Sequence, residues 1–107
     1  MNKIFYIFLF CCTAALAQVE RVEPPFWYAG MHNPELQVMF YGKDIAKYTP
    51  TVNNGIVIKK VVKTENPNYV FVTIDTKDIP ASDFVFTFKD KNKAAFTQKY
   101  ILRERKE

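Results

Sequence analysis

The sequence predicts an all-β protein: an immunoglobulin-like antiparallel β-sandwich preceded by a signal peptide. Three observations carry that expectation. Apolar residues recur at every second position through most of the chain, the spacing of strands with one buried face. The alternating segments are short and are separated by clusters of Asn, Gly and Pro, which favour turns. The first residues, MNKIFYIFLFCCTAALAQ, follow a different pattern and stand apart from the rest.

In that leading segment Lys3 precedes an uncharged apolar run from Ile4 to Leu16, and Ala15-Leu16-Ala17 places small residues at a cleavage point. Such a run reads as a secretory signal. It is also shorter than the about 20 residues of a membrane helix. Residues 1–17 are therefore assigned to the signal peptide and residues 18–107 to one domain. The mature domain is expected to cross the inner membrane into the periplasm, with no membrane attachment after cleavage. A lipid anchor is disfavoured, because Phe10 precedes Cys11 where lipidation needs a small residue. Both cysteines of the chain, Cys11 and Cys12, lie in the leader. The domain is thus expected to have no disulfide and to rely on its core alone.

The elements follow in order. QVERVEP (Gln18–Pro24) supplies a first short strand. ELQVMFY (Glu35–Tyr41) places Leu36, Val38 and Phe40 on one face and Gln37, Met39 and Tyr41 on the other. VNNG (Val52–Gly55) is turn chemistry, since Asn and Gly tolerate left-handed backbone. GIVIKKVVKT is rich in β-branched residues, but its alternation slips at Lys59-Lys60, where a bulge is expected. ENPN (Glu65–Asn68) is a second turn, and NYVFVTID then aligns Val70, Val72 and Ile74. DFVFTF aligns Phe84, Phe86 and Phe88, DKNK (Asp90–Lys93) closes a hairpin, and AFTQKYILRER sets Phe96, Gln98, Tyr100 and Leu102 opposite Thr97, Lys99 and Ile101. The result is about six or seven short strands, the make-up of a sandwich. Val38, Phe40, Val72 and Ile74 are expected in its core.

Charge and motif content exclude several classes of function. The 15 Lys and Arg against 11 Asp and Glu leave a net charge of +4, and the two signs interleave, as in TKDIPASD and KDKNK. That is a mixed solvated surface; no nucleic-acid partner is expected. The one histidine, His32, has no cysteine or second histidine at ligand spacing, so neither a metal site nor a cofactor is expected. Only three glycines are present, and neither a GxSxG elbow nor a phosphate-binding loop can be built from them. Asp75, Asp78 and Asp83 are close in sequence, and paired carboxylates can hydrolyse glycosides. They fall at a strand end and in a loop beside Lys77 and Ser82, which reads as solvated surface. No catalytic residue is assigned.

What remains is the stretch VEPPFWYAG, with Phe26, Trp27 and Tyr28 directly after Pro24-Pro25. Proline cannot donate to a ladder, so the segment suits an edge. The three aromatics are the candidate site. Either they plug one end of the sandwich, or they form a surface that touches a sugar or another protein.

Motifs in the same region carry a resemblance. RVEPPFWYAGMHNPELQVMFYGKDIA, ENPNYVFVTIDT and the closing QKYILRER together resemble the N-terminal β-sandwich domain of cyclomaltodextrinases and neopullulanases, in the α-amylase superfamily of glycoside hydrolases. The resemblance covers nearly all of residues 19–105. It implies a sandwich that precedes a (β/α)₈ barrel carrying a catalytic aspartate nucleophile, a glutamate acid and a second aspartate. None of those catalytic positions has a counterpart in this chain. The role implied is that of a non-catalytic accessory domain, as a fragment of a secreted α-glucan-hydrolysing enzyme, contributing to assembly and substrate access. Its partners would be the catalytic barrel or a second subunit, and α-glucan itself. The alternative is a free-standing carbohydrate-binding module that uses Trp27 with Tyr28.

Overall fold

A computed structural model describes residues 19–105. The signal peptide assigned to residues 1–17 lies outside the described residues. Eight strands are formed: β1 (Arg21–Glu23), β2 (Trp27–Tyr28), β3 (Glu35–Tyr41), β4 (Thr49–Val52), β5 (Val57–Lys63), β6 (Tyr69–Asp75), β7 (Ser82–Asp90) and β8 (Lys93–Arg103). One short 3₁₀ turn, Ile45–Lys47, joins β3 to β4. The strands make two four-stranded sheets, in the orders β1-β3-β6-β5 and β2-β8-β7-β4. This is the sandwich that the alternation requires.

The strand phases are those expected. Leu36, Val38 and Phe40 of β3, Val70, Val72 and Ile74 of β6, and Phe84, Phe86 and Phe88 of β7 are all buried, with Tyr100 and Leu102 of β8. Phe40 joins the two layers. Its ring meets Phe86 at 4.9 Å and Phe88 at 5.1 Å, both edge to face. Such pairs add about 0.5–1.5 kcal/mol each beyond the area they bury. Tyr100 is the one buried side chain of this central group with a hydroxyl, and its Oη–H donates to the Pro24 carbonyl at 2.8 Å. The bond ties β8 to the proline pair and avoids an unsatisfied buried donor. Burial holds the Tyr100 phenol well above its ordinary value.

Turns form where Asn and Gly allow them. Lys91 and Asn92 take φ of 52° and 71° between β7 and β8. That left-handed pair makes the two-residue connection whose twist suits a hairpin. Asn54 and Gly55, at 60° and 73°, turn the chain after β4, where it crosses from one sheet to β5 of the other. The neighbouring Asn53 Oδ1 accepts the Val85 N–H at 2.9 Å, so this turn is fastened to β7. The slip at Lys59-Lys60 is a register shift between Ile58 and Lys60 against β6. It lies on an edge strand, where a bulge and lysines discourage further pairing.

Three features differ from the sequence reading. The N-terminal segment forms two strands, not one: β1 pairs with β3 in one sheet, and β2 pairs with β8 in the other. Pro24-Pro25 lies between them, and the missing N–H groups end the first ladder there. The chain changes sheets at the prolines. The β2–β8 pair is also parallel, with Trp27 opposite Leu102 and Tyr28 opposite Arg103, in a sandwich otherwise antiparallel. A second register shift, between Phe88 and Lys89, was not signalled by composition. Among the described residues no helix is long and apolar enough to cross a membrane.

Candidate functional site

Crossing between sheets decides where the aromatic triplet goes. The backbone continues β2 past Tyr28, where the Ala29 N–H donates to the Arg103 carbonyl at 2.9 Å. Along a strand, neighbouring side chains leave on opposite faces. Trp27 is half-buried and packs against the core. Phe26 and Tyr28, two positions apart, meet edge to face at 5.6 Å. The Arg103 guanidinium lies 3.8 Å from the Phe26 ring centre, a cation–π contact. Trp27 and Tyr28 touch only at a tilt, with centroids 6.1 Å apart. The structure therefore brings Phe26 and Tyr28 together and turns Trp27 away from them.

Each side borders a groove. Trp27 lines one of about 620 Å³, with Pro24, Met31 and Leu36 as its other apolar walls. His32, Asn33, Glu35 and Gln37, all exposed, supply its polar groups. Tyr28 lines a second groove, of about 490 Å³, with Arg103 and Arg105. Met31 is common to both, and its Sδ lies 3.9 Å from Arg105 Nη1.

The loop from Ala29 to Pro34 that shapes both grooves is anchored. Buried Thr76 donates twice to the Pro34 carbonyl, through its N–H at 2.8 Å and its hydroxyl at 2.7 Å. Asn33 Oδ1 accepts the Glu35 N–H at 3.0 Å, the local bond by which Asn sets a turn. Glu35 Oε2 accepts from Lys59 Nζ at 3.0 Å, and this contact holds the lysine above its ordinary value.

The carboxylates do not converge. Asp75 Oδ1 accepts the Lys77 N–H at 2.9 Å and closes its own turn. Asp78 takes a left-handed φ of 64°, and exposed Asp83 lies 3.7 Å from Lys99. Among the described residues, no group of three or more His, Cys, Asp or Glu could hold a metal ion.

A second aromatic cluster escaped the sequence reading. On the solvent side of β3 and β6, Tyr41 and Tyr69 pair at 4.9 Å, and Tyr69 and Phe71 lie 6.4 Å apart with rings within 12° of parallel. Arg21 sits 5.6 Å from the Tyr41 ring. The available signal was the complement of the core pattern. Tyr41, Tyr69 and Phe71 occupy alternate positions where a one-sided strand normally carries polar groups.

With this geometry in place, the sequence comparison is specific. The family model described as "Cyclomaltodextrinase, N-terminal" matches residues 21–106, from the start of β1 past the end of β8. The chain belongs to this family.

Proposed function

We propose that this cyclomaltodextrinase N-terminal domain is a non-catalytic accessory domain of an exported α-glucan-hydrolysing enzyme of the α-amylase family. It acts in assembly and substrate access, and it works in the periplasm after its signal peptide is removed. Its partner is the catalytic barrel of the enzyme or a second subunit. The observation that carries the reading is the family match across the whole sandwich. The surface chemistry agrees with it: aromatic side chains and grooves gather around Phe26, Trp27, Tyr28 and Met31. Aromatic residues give large contact area at low entropic cost, which suits a docking surface.

An antibody against the chain tests this reading in the native cell. Depleting the periplasmic fraction with it should remove α-glucan hydrolase activity, whether the barrel is joined covalently or held as a subunit. Activity that stays in the supernatant after complete depletion overturns the proposal. The second reading, a carbohydrate-binding module, is favoured by one observation: a tryptophan lines a groove edged by hydrogen-bonding side chains.

A further inference from the structure

The geometry points to Asn54 as a site of covalent self-modification: deamidation through a cyclic imide formed with Gly55, at a rate set by the fastening of their turn to β7. This chemistry does not depend on the α-glucan reading above. Asparagine is a chemically labile residue. It reacts with its own chain where the next backbone nitrogen is unhindered and free to attack. Among the described asparagines that condition singles out one. Asn33 and Asn66 precede prolines, whose nitrogen has no proton to lose. Asn68 precedes the bulky Tyr69, and its Oδ1 accepts the Asp44 N–H at 2.8 Å. Asn92 precedes Lys93, which is paired opposite Asp90 in the last hairpin. Asn53 precedes Asn54, and its Oδ1 holds the Val85 N–H at 2.9 Å. Asn54 alone precedes a glycine, and both residues are exposed. A Cβ at Gly55 would meet nothing within 4 Å, so the attacking nitrogen sits in open space. Among the described residues the Gly55 N–H makes no hydrogen bond.

The reaction balances with water alone, and nothing is oxidised or reduced. The Gly55 backbone nitrogen loses its proton and bonds to Asn54 Cγ. The Cγ–Nδ2 bond breaks, and ammonia leaves with that proton. Water then opens the imide at one of its two carbonyls. Opening at Cγ leaves an ordinary aspartyl link. Opening at the backbone carbonyl leaves an isoaspartyl link, which runs the main chain through the side chain and lengthens it by a methylene carbon. The turn's fastening sets the pace. Asn54 Nδ2 donates to the Asp83 carbonyl at 3.1 Å, which directs the amide toward β7. Asn53 closes the same loop onto β7 twice, its N–H donating to the Val85 carbonyl at 3.3 Å and its Oδ1 accepting the Val85 N–H. The Asn54 amide turns back to its own backbone when these bonds open, a local event that does not require global unfolding. The product does not close the turn again in the same way, because a carboxylate at position 54 has no proton to donate to the Asp83 carbonyl. The lengthened link lies in the crossover from β4 to β5, which joins the two sheets. Deamidation here is therefore an irreversible mark of age that loosens this crossover.

The purified chain is held at neutral pH and physiological temperature and sampled over weeks. Its proteolytic peptides are weighed, and electron-transfer fragmentation tells aspartate from isoaspartate. Conversion is expected first at Asn54, with a gain of about 1 Da and isoaspartate as the main product. Asn53→Ala, shown to be folded by circular dichroism, should convert about fivefold faster, the effect of one lost hydrogen bond on an opening equilibrium. Asn53→Asp keeps an oxygen for the Val85 N–H and should hold the parent's rate. Conversion that begins at another asparagine overturns the proposal, and so does a parent chain left unchanged after weeks. Equal rates in the parent and Asn53→Ala, or an Asn53→Asp chain as fast as Asn53→Ala, overturn the control by the turn.

Discussion

The two sheets are alike inside and unlike outside. Each contributes a block of large apolar side chains to the shared core: Leu36, Val38, Phe40, Val70, Val72 and Ile74 from one, Phe84, Phe86, Phe88, Tyr100 and Leu102 from the other. Their solvent faces diverge. Across β3, β6 and β5 the register aligns Met39, Phe71 and Val62. Across β4, β7 and β8 it aligns Thr51, Thr87 and Thr97. Both rows occupy the same kind of backbone, and threonine suits a wet β-surface as well as valine suits a dry one. Folding fixes the inner rows and leaves the outer rows free. An apolar outer row is therefore carried by one sheet alone.

The largest effects should come from breaking the equivalence of the inner faces. Phe40→Ala and Phe86→Ala remove partners of the same edge-to-face contact, and each should cost about 3–5 kcal/mol in urea unfolding. If either variant matches the parent, its strand is in the wrong phase.

Tyr100 sharpens the comparison, as a polar group inside the more aromatic layer. Tyr100→Phe leaves the Pro24 carbonyl without its donor and should cost about 1–2 kcal/mol. The same phenol links stability to pH. Its proton is held in the folded state above the ordinary value of 10.0 shown by an unfolded tyrosine. The folded form thus binds more protons above that pH, and the stabilisation, complete below pH 10, is lost as pH rises through and beyond it. Unfolding free energy measured across alkaline pH should fall less steeply in Tyr100→Phe. An unchanged slope would contradict the buried phenol.

Much of this contrast was legible in the sequence, and the reasons differ by element. The phases of β3, β6 and β7 follow from period-two alternation, because one buried face commits every second residue. The Lys59-Lys60 bulge showed as a break in that alternation. The Lys91-Asn92 turn follows from local chemistry. What failed to show depends on contacts far apart in the chain. Two residues of β2 carry no period of their own, and their parallel alignment with β8 is set by the crossover at Pro24-Pro25. For the same reason Phe26, Trp27 and Tyr28 read as one cluster, whereas the strand sends Trp27 to one groove and Tyr28 to the other. Tyr41 and Tyr69 become neighbours only through β3–β6 pairing.

On the outer faces the effects should be smaller. Phe71→Thr, which makes the first sheet resemble the second, should cost about 0.5–1 kcal/mol through lost contact with Tyr69. Thr97→Ala should stay within about 0.5 kcal/mol. A larger loss at Thr97 than at Phe71 would reverse the comparison. The smallest change is expected at Lys59→Ala. Its ion pair with Glu35 is solvent-exposed at both ends, and such pairs are screened at physiological salt, so the urea midpoint should not move measurably.

Trp27 stands on the boundary between the core and the surface: it packs against the one and lines a groove on the other. Urea unfolding of Trp27→Ala beside Phe40→Ala, followed by circular dichroism, tests the division directly. A half-buried groove residue should lose less than half of the about 3–5 kcal/mol expected for the buried phenylalanine. A loss at Trp27 equal to that at Phe40 would make the tryptophan a core plug and contradict the functional assignment of its groove.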